Sequence, residues 1–159
     1  VDESAERSIS HHMRGKTALV LLLYNRSFAW MSSGSSNDQL VSNLVRDGVI
    51  ETEAVASVMR RVDRRLFTRT IFSDSLRSKT DAYRDAPLPI SDAATISAPH
   101  MHARCLELLL PQLVRPNARS LDVGSGSGYL TVAFALFGGT AYGIEHTQAL
   151  TDLAKTNVK

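Results

Sequence analysis

An α/β fold, with a helical part ahead of an open sheet, is what this sequence predicts, on three observations. First, Ala118 to Val123 reads as a short buried strand, Tyr129 to Phe137 reads as an apolar helix, and Gly124-Ser125-Gly126-Ser127-Gly128 joins them. Alternating glycines let the backbone turn sharply and let a ligand come closer than any Cβ would permit. The helix start behind them offers unpaired N–H groups. Second, Thr140 to Ile144 reads as another apolar strand and ends in Glu145, 17 residues beyond Gly128. Third, a helical period sets in at Asn37 and recurs up to the first of these strands. Strand, glycine bend and helix in that order form a nucleotide-type cofactor site in open α/β sheets.

The glycine spacing narrows the choice of cofactor. A dinucleotide fingerprint reads G-x-G-x-x-G, whereas this loop reads G-x-G-x-G with Asp122 two positions ahead of it. That pattern resembles the first motif of S-adenosylmethionine-dependent methyltransferases. Taken alone, Glu145 reads better as a solvated residue near the start of the next helix. Behind a glycine loop, an acidic side chain ending the second strand can accept hydrogen bonds from both ribose hydroxyls.

Composition excludes several classes. The 159 residues carry a formal charge of +2 and are 43% hydrophobic, enough for one core and no basic surface of note. No basic run is interleaved with aromatics, which argues against nucleic acid. Cys105 is the only cysteine, so no intrachain disulfide can form and a reducing, cytoplasmic setting is expected. No apolar run approaches the ~20 residues that span a bilayer, so no stable membrane association is expected.

Residues 1–36 are read as an extension and linker, disordered or targeting, and residues 37–159 as the N-terminal portion of a catalytic domain. Met13-Arg14-Gly15-Lys16 followed by Thr17 to Tyr24 has the basic start and apolar centre of a short signal peptide. Asp2, Glu3 and Glu6 ahead of it favour an upstream extension with an incidental apolar patch. Ser32 to Ser36 reads as a polar linker. Asn37 or Asp38 then caps a helix carrying Leu40, Val41, Leu44 and Val45, which Asp47-Gly48 ends. Thr52 starts a second helix with Val55, Val58, Met59 and Val62 as its stripe. Phe72 to Ile90 contains Pro87 and Pro89 and reads as an extended, irregular connection. A third helix starts near Pro99 and runs through Leu110, where Pro111 begins to stop it.

Ala94-Thr95-Ile96-Ser97-Ala98-Pro99-His100-Met101-His102-Ala103 is the second informative segment. Ser97 can cap the third helix, either as a cap alone or as part of a site favouring an anion such as a carboxylate. His100 and His102 point to different sides of a helix, and His102 with Cys105 gives too few ligands for zinc, so no metal is expected.

At these residues the chain resembles the protein-L-isoaspartate (D-aspartate) O-methyltransferase family. The resemblance runs from Ala29-Trp30 and Ser32-Ser33-Gly34 through Val58-Met59, Val62-Asp63-Arg64, Ala94 to Ala103, and Leu121 to Thr131, then Gly143-Ile144-Glu145-His146. It implies a Rossmann-like S-adenosylmethionine-dependent methyltransferase fold, incomplete here, with an N-terminal helical part. It implies that Asp122, Gly124, Ser125, Gly126 and Gly128 hold the methionine and ribose end of S-adenosyl-L-methionine. Glu145 would take the ribose hydroxyls and His146 would lie near the adenine. Ala94, Thr95, Ile96 and Ser97 would border cofactor and isoaspartyl peptide, with Ser97 in the catalytic role and His102 closing the pocket. The implied reaction methylates the free carboxyl of L-isoaspartyl or D-aspartyl residues in damaged proteins, by a monomer without nucleic-acid partners.

Three departures from that pattern stand out. Ser91-Asp92 replaces a usual glycine and its successor, and the connection around Phe137-Gly138-Gly139 is short enough to threaten the placement of Glu145. The chain also stops at Lys159, ahead of the later strands of such a sheet. From that we expect poor stability and no activity, or stabilisation by a partner, since parallel sheets need both faces covered. The competing readings are a non-catalytic fragment that keeps partial cofactor or peptide binding, a methyltransferase for RNA or small molecules, and, weakest, a dinucleotide oxidoreductase.

Overall fold

The structure is a computed structural model that describes residues 32–68, 79–91 and 94–158. The signal-like run at Met13 to Tyr24, Ala29-Trp30 and Asp92 lie outside the described residues. Helix α1 (Asn37–Arg46) buries Leu40, Val41 and Leu44. Its cap is Ser36, not Asn37 or Asp38: the Ser36 hydroxyl accepts the Gln39 N–H at 3.1 Å, and Gln39 reaches back to the Ser35 N–H at 2.7 Å. The Gln39 side chain thus pairs with the residue before the cap, while the cap itself satisfies the Gln39 N–H. Asn37 is free to turn inward and donate to the Met59 carbonyl at 2.9 Å. Gly48 ends the helix in the left-handed region (φ 69°). Within Ser32 to Ser36, Ser32 is fully buried and donates to Asp47 at 2.8 Å, while Ser33, Ser35 and Ser36 are exposed.

Helix α2 (Glu53–Arg61) is capped by Thr52 as expected and buries Val55, Ala56, Val58 and Met59. A short α3 (Arg64–Phe67) follows, capped by Asp63. The connection expected to be irregular holds a helical turn, α4 (Lys79–Ala82), and a strand, β1 (Leu88–Pro89). Strand β1 pairs antiparallel with β2 (Thr95–Ile96), Leu88 facing Ile96. Proline was no obstacle, since a two-residue edge strand needs few donors.

Helix α5 (Pro99–Leu113) takes Ala98 as its N-cap, which has no side chain to cap with, so Ser97 is not the cap. A residue before proline is held out of the helical region, which fixes the boundary one position later. The helix also continues through Pro111, because Leu113 is buried and anchors its last turn.

Strands β3 (Arg119–Val123) and β4 (Thr140–Ile144) pair in parallel, Asp122 opposite Gly143. Between them runs α6 (Tyr129–Ala135), ending two residues before Phe137, and after them α7 (Gln148–Asn157). The core lies among α1, α2, α5 and α6, where Leu44, Val55, Ala103 and Leu106 are all 0% exposed. One face of the parallel pair stays open: Leu121, Val123, Tyr142 and Ile144 are exposed, Val123 by 75%. No helix among the described residues is long and apolar enough to cross a membrane.

Candidate cofactor and substrate site

Two segments far apart in sequence meet at the carboxyl end of β3. The glycine loop supplies one wall, with Gly124, Gly126 and Gly128 at φ 80°, 53° and 91°. An L side chain in that region is strained, so the run of glycines is what this path requires. A Cβ built on Gly124 meets nothing within 4 Å, so the loop faces open space there. The hairpin end and α5 supply the opposite wall. Together they enclose a cavity of about 230 Å³ lined by Thr95, Ile96, Ser97 and His102 on one side. Asp122, Gly124, Ser125 and Gly126 line the other, with Cys105 and Tyr129 completing the floor.

The remaining expected residues lie elsewhere. Ala94 sits behind the hairpin, its carbonyl accepting the N–H groups of Ile90 at 2.9 Å and Ser91 at 3.1 Å. Gly128 and Glu145 line a second cavity of about 400 Å³ on the far side of the loop, with Ser125 shared between the two. His146 is outside both, its side chain 94% exposed and its Nδ1 3.0 Å from Glu145 Oε1.

Glu145 braces the loop. Its Oε2 accepts the Gly126 N–H at 3.0 Å and its Oε1 accepts the Thr147 N–H at 3.0 Å. The short turn at Gly138-Gly139 therefore does not pull Glu145 from the loop, because Thr140 N–H to the Ala118 carbonyl at 2.8 Å keeps the strands in register. Burial raises the Glu145 carboxyl, but the Thr147 and Gly126 N–H groups and His146 outweigh it and hold it below the usual carboxylate range. The loop amides expected to be unpaired are largely used inside the fold: Gly124 and Ser125 donate to the Ile144 carbonyl and Gly128 to that of Ser125. Close approach, rather than an amide nest, is what the loop offers.

Asp122 accepts the Thr131 hydroxyl at 2.7 Å. Gly143 makes room for this, since a Cβ there would stand 2.9 Å from Ser125 Oγ and 3.0 Å from Thr131 Oγ1. His102 stacks on Tyr129 with ring centroids 4.6 Å apart. Burial, with the nearby Arg64 charge, pushes His102 down to about 3, so it is neutral at physiological pH. Burial likewise pushes the Tyr129 phenol up to about 12. Ser97 is exposed at the rim of the cavity. The sequence reading missed Arg64, fully buried, and Asp85, whose Oδ1 accepts the backbone N–H of His100 at 2.9 Å and lies 2.8 Å from its Nδ1.

Residues 35–159 match the protein-L-isoaspartate(D-aspartate) O-methyltransferase family. The chain belongs to that family. It is 48% identical over 126 residues to a protein-L-isoaspartate O-methyltransferase of Triticum aestivum, covering 77% of this chain and 51% of the relative. Against one from Caenorhabditis elegans the identity is 42% over 134 residues, 82% of this chain and 55% of the other. A crystal structure from Plasmodium falciparum, assigned as a protein-L-isoaspartate O-methyltransferase and solved with S-adenosyl-L-homocysteine, superposes with a TM-score of 0.66. It shares 35% identity and covers 78% of this chain and 55% of its own. The fold is thus the Rossmann-like one of S-adenosylmethionine-dependent methyltransferases. The chain spans about half the length of the curated relatives it matches.

Proposed function

We propose that the chain binds S-adenosyl-L-methionine over the glycine loop and methylates the free carboxyl of L-isoaspartyl or D-aspartyl residues in damaged proteins, initiating their repair. The observation that carries this reading is the single cavity in which Thr95, Ile96, Ser97 and His102 face Asp122 and the glycine loop. The residues present fit a sulfonium cofactor. Asp122 brings a carboxylate to the wall, and His102, held neutral, adds no positive charge against it. Glu145, held ionised, is suited to the ribose hydroxyls through Oε2, which keeps a second lone pair after its bond to the Gly126 N–H. His146, beside Glu145 and exposed, would lie near the adenine.

When bound, the cofactor supplies a methyl group already activated by its positive sulfur. The nucleophile, an aspartyl-type carboxylate with a reference pKa of about 4, is ionised at neutral pH. No proton has to move, so the protein's task is to bring oxygen, carbon and sulfur into line. Ser97 at the cavity rim would orient the substrate carboxyl by a hydrogen bond, and no catalytic triad is needed. The lone cysteine of the sequence supports a reducing, cytoplasmic setting.

Methyl transfer from labelled cofactor to an isoaspartyl peptide tests the assignment, with Ser97→Ala beside the wild type. Transfer should fall by about tenfold or more in the variant while calorimetric affinity for S-adenosyl-L-homocysteine stays within about twofold. Parallel loss of both would remove Ser97 from its role. Binding of S-adenosyl-L-homocysteine without transfer in the wild type would favour the non-catalytic reading.

A further inference from the structure

A polar cluster outside the cavity is built around two buried charges. The Arg64 guanidinium is 0% exposed and bridges the turn between α4 and β1, Nε donating to the Ala82 carbonyl at 3.1 Å and Nη2 to the Ala86 carbonyl at 3.2 Å. Asp85 sits inside that turn with a side chain that is also 0% exposed. Its own N–H donates to the Ser33 hydroxyl at 3.0 Å, and the Gly34 N–H donates to the Tyr83 carbonyl at 2.9 Å. Tyr83 in turn donates to Asp63, the cap of α3, at 2.8 Å. The turn is thus pinned from three directions and presents the Asp85 carboxylate in one orientation.

What that carboxylate holds is the first turn of α5. Asp85 Oδ1 takes both the backbone N–H and the Nδ1 of His100. His100 stands three residues after Ser97 and two before His102. Fixing its backbone and ring fixes the rotation of a turn that has no side-chain cap of its own. Burying a guanidinium and a carboxylate is costly, and apolar residues of similar volume commonly serve stability as well or better. Arg64 Nη1 and Asp85 Oδ2 even lie buried without a hydrogen-bond partner. We propose that Arg64 and Asp85 are positioning residues that lock the β2–α5 junction, so that Thr95, Ile96 and Ser97 present the isoaspartyl carboxyl to the methyl donor.

This rests on the methyl-transfer reading above, and the test separates the two. In the 159-residue protein, Asp85→Ala should speed amide exchange across residues 95–101 by about tenfold while residues 122–128 keep wild-type protection. The peptide KM should rise about tenfold, with affinity for S-adenosyl-L-homocysteine within about threefold, because the glycine loop and Glu145 hold that ligand from the other side. Asp85→Asn keeps the acceptor for both His100 donors and should restore most of the exchange protection. Exchange rising equally in both segments, or not at all in 95–101, overturns the proposal. Should Asp85→Ala fail to fold, His100→Ala removes only the ring contact and should still raise both exchange in 97–101 and peptide KM severalfold. No change in either would overturn it equally. A wild type that transfers no methyl group, with the exchange change confined to 95–101, sinks the activity and leaves the locked junction standing.

Discussion

The helical part and the parallel strand pair of this molecule are held together in different ways. Leu40, Val41, Leu44, Val55 and Met59 interlock at 1% exposure or less, so α1 and α2 are fixed by burial. Strands β3 and β4 bury far less, and Leu121, Val123, Tyr142 and Ile144 lie open along one face. What holds their ends in shape is local and polar: five paired residues in register, Glu145 on the Gly126 N–H, and Thr131 on Asp122. The site's conformation therefore depends on hydrogen bonds and absent Cβ atoms more than on apolar packing. Its position against the hairpin depends on α5, which belongs to the packed half.

Substitutions can break or sharpen this contrast. The largest effect is expected for Leu44→Ala in the packed half, which should cost about 2–5 kcal/mol in urea unfolding. Gly143→Ala comes next: its Cβ would meet Ser125 and Thr131 at about 3 Å, and over-packing of this kind costs about 1–3 kcal/mol. It should also weaken calorimetric S-adenosyl-L-homocysteine binding by about tenfold. An intermediate effect depends on pH. His102 titrates near 6.5 when unfolded and at about 3 when folded, so the unfolded chain binds the extra proton between those values. Stability from this group is full above about 6.5 and declines as pH falls towards about 3, at up to about 1.4 kcal/mol per pH unit. His102→Phe, which can keep the stack on Tyr129, should make the measured slope shallower by up to one proton. The smallest effect belongs to the open face: Val123→Ala should change stability by about 0.5 kcal/mol or less. A Val123→Ala cost rivalling that of Leu44→Ala would erase the contrast.

Local signals were legible in the sequence wherever a residue acts on its near neighbours. Thr52, Gly48, the glycine loop and the strand ending before Glu145 fall where spacing and propensity put them. Misreadings came from competition between nearby signals. Ser36 outcompeted Asn37 because its hydroxyl takes the Gln39 N–H while the Asn37 side chain is used on the Met59 carbonyl, and Pro99 moved the α5 boundary past Ser97. The hairpin of Leu88-Pro89 with Thr95-Ile96 was hidden because two-residue strands carry no period. The roles of Arg64 and Asp85 were invisible for another reason. Their meaning lies in a contact across the fold to His100, and no pattern of spacing announces a buried charge.

Cys105 gives this architecture a practical consequence. The sequence has no other thiol, and this one is half-buried and lines the same cavity as Ser97 and the glycine loop. An alkylating reagent would thus report from inside the pocket without any engineered label, its rate slowing as a guest fills the space.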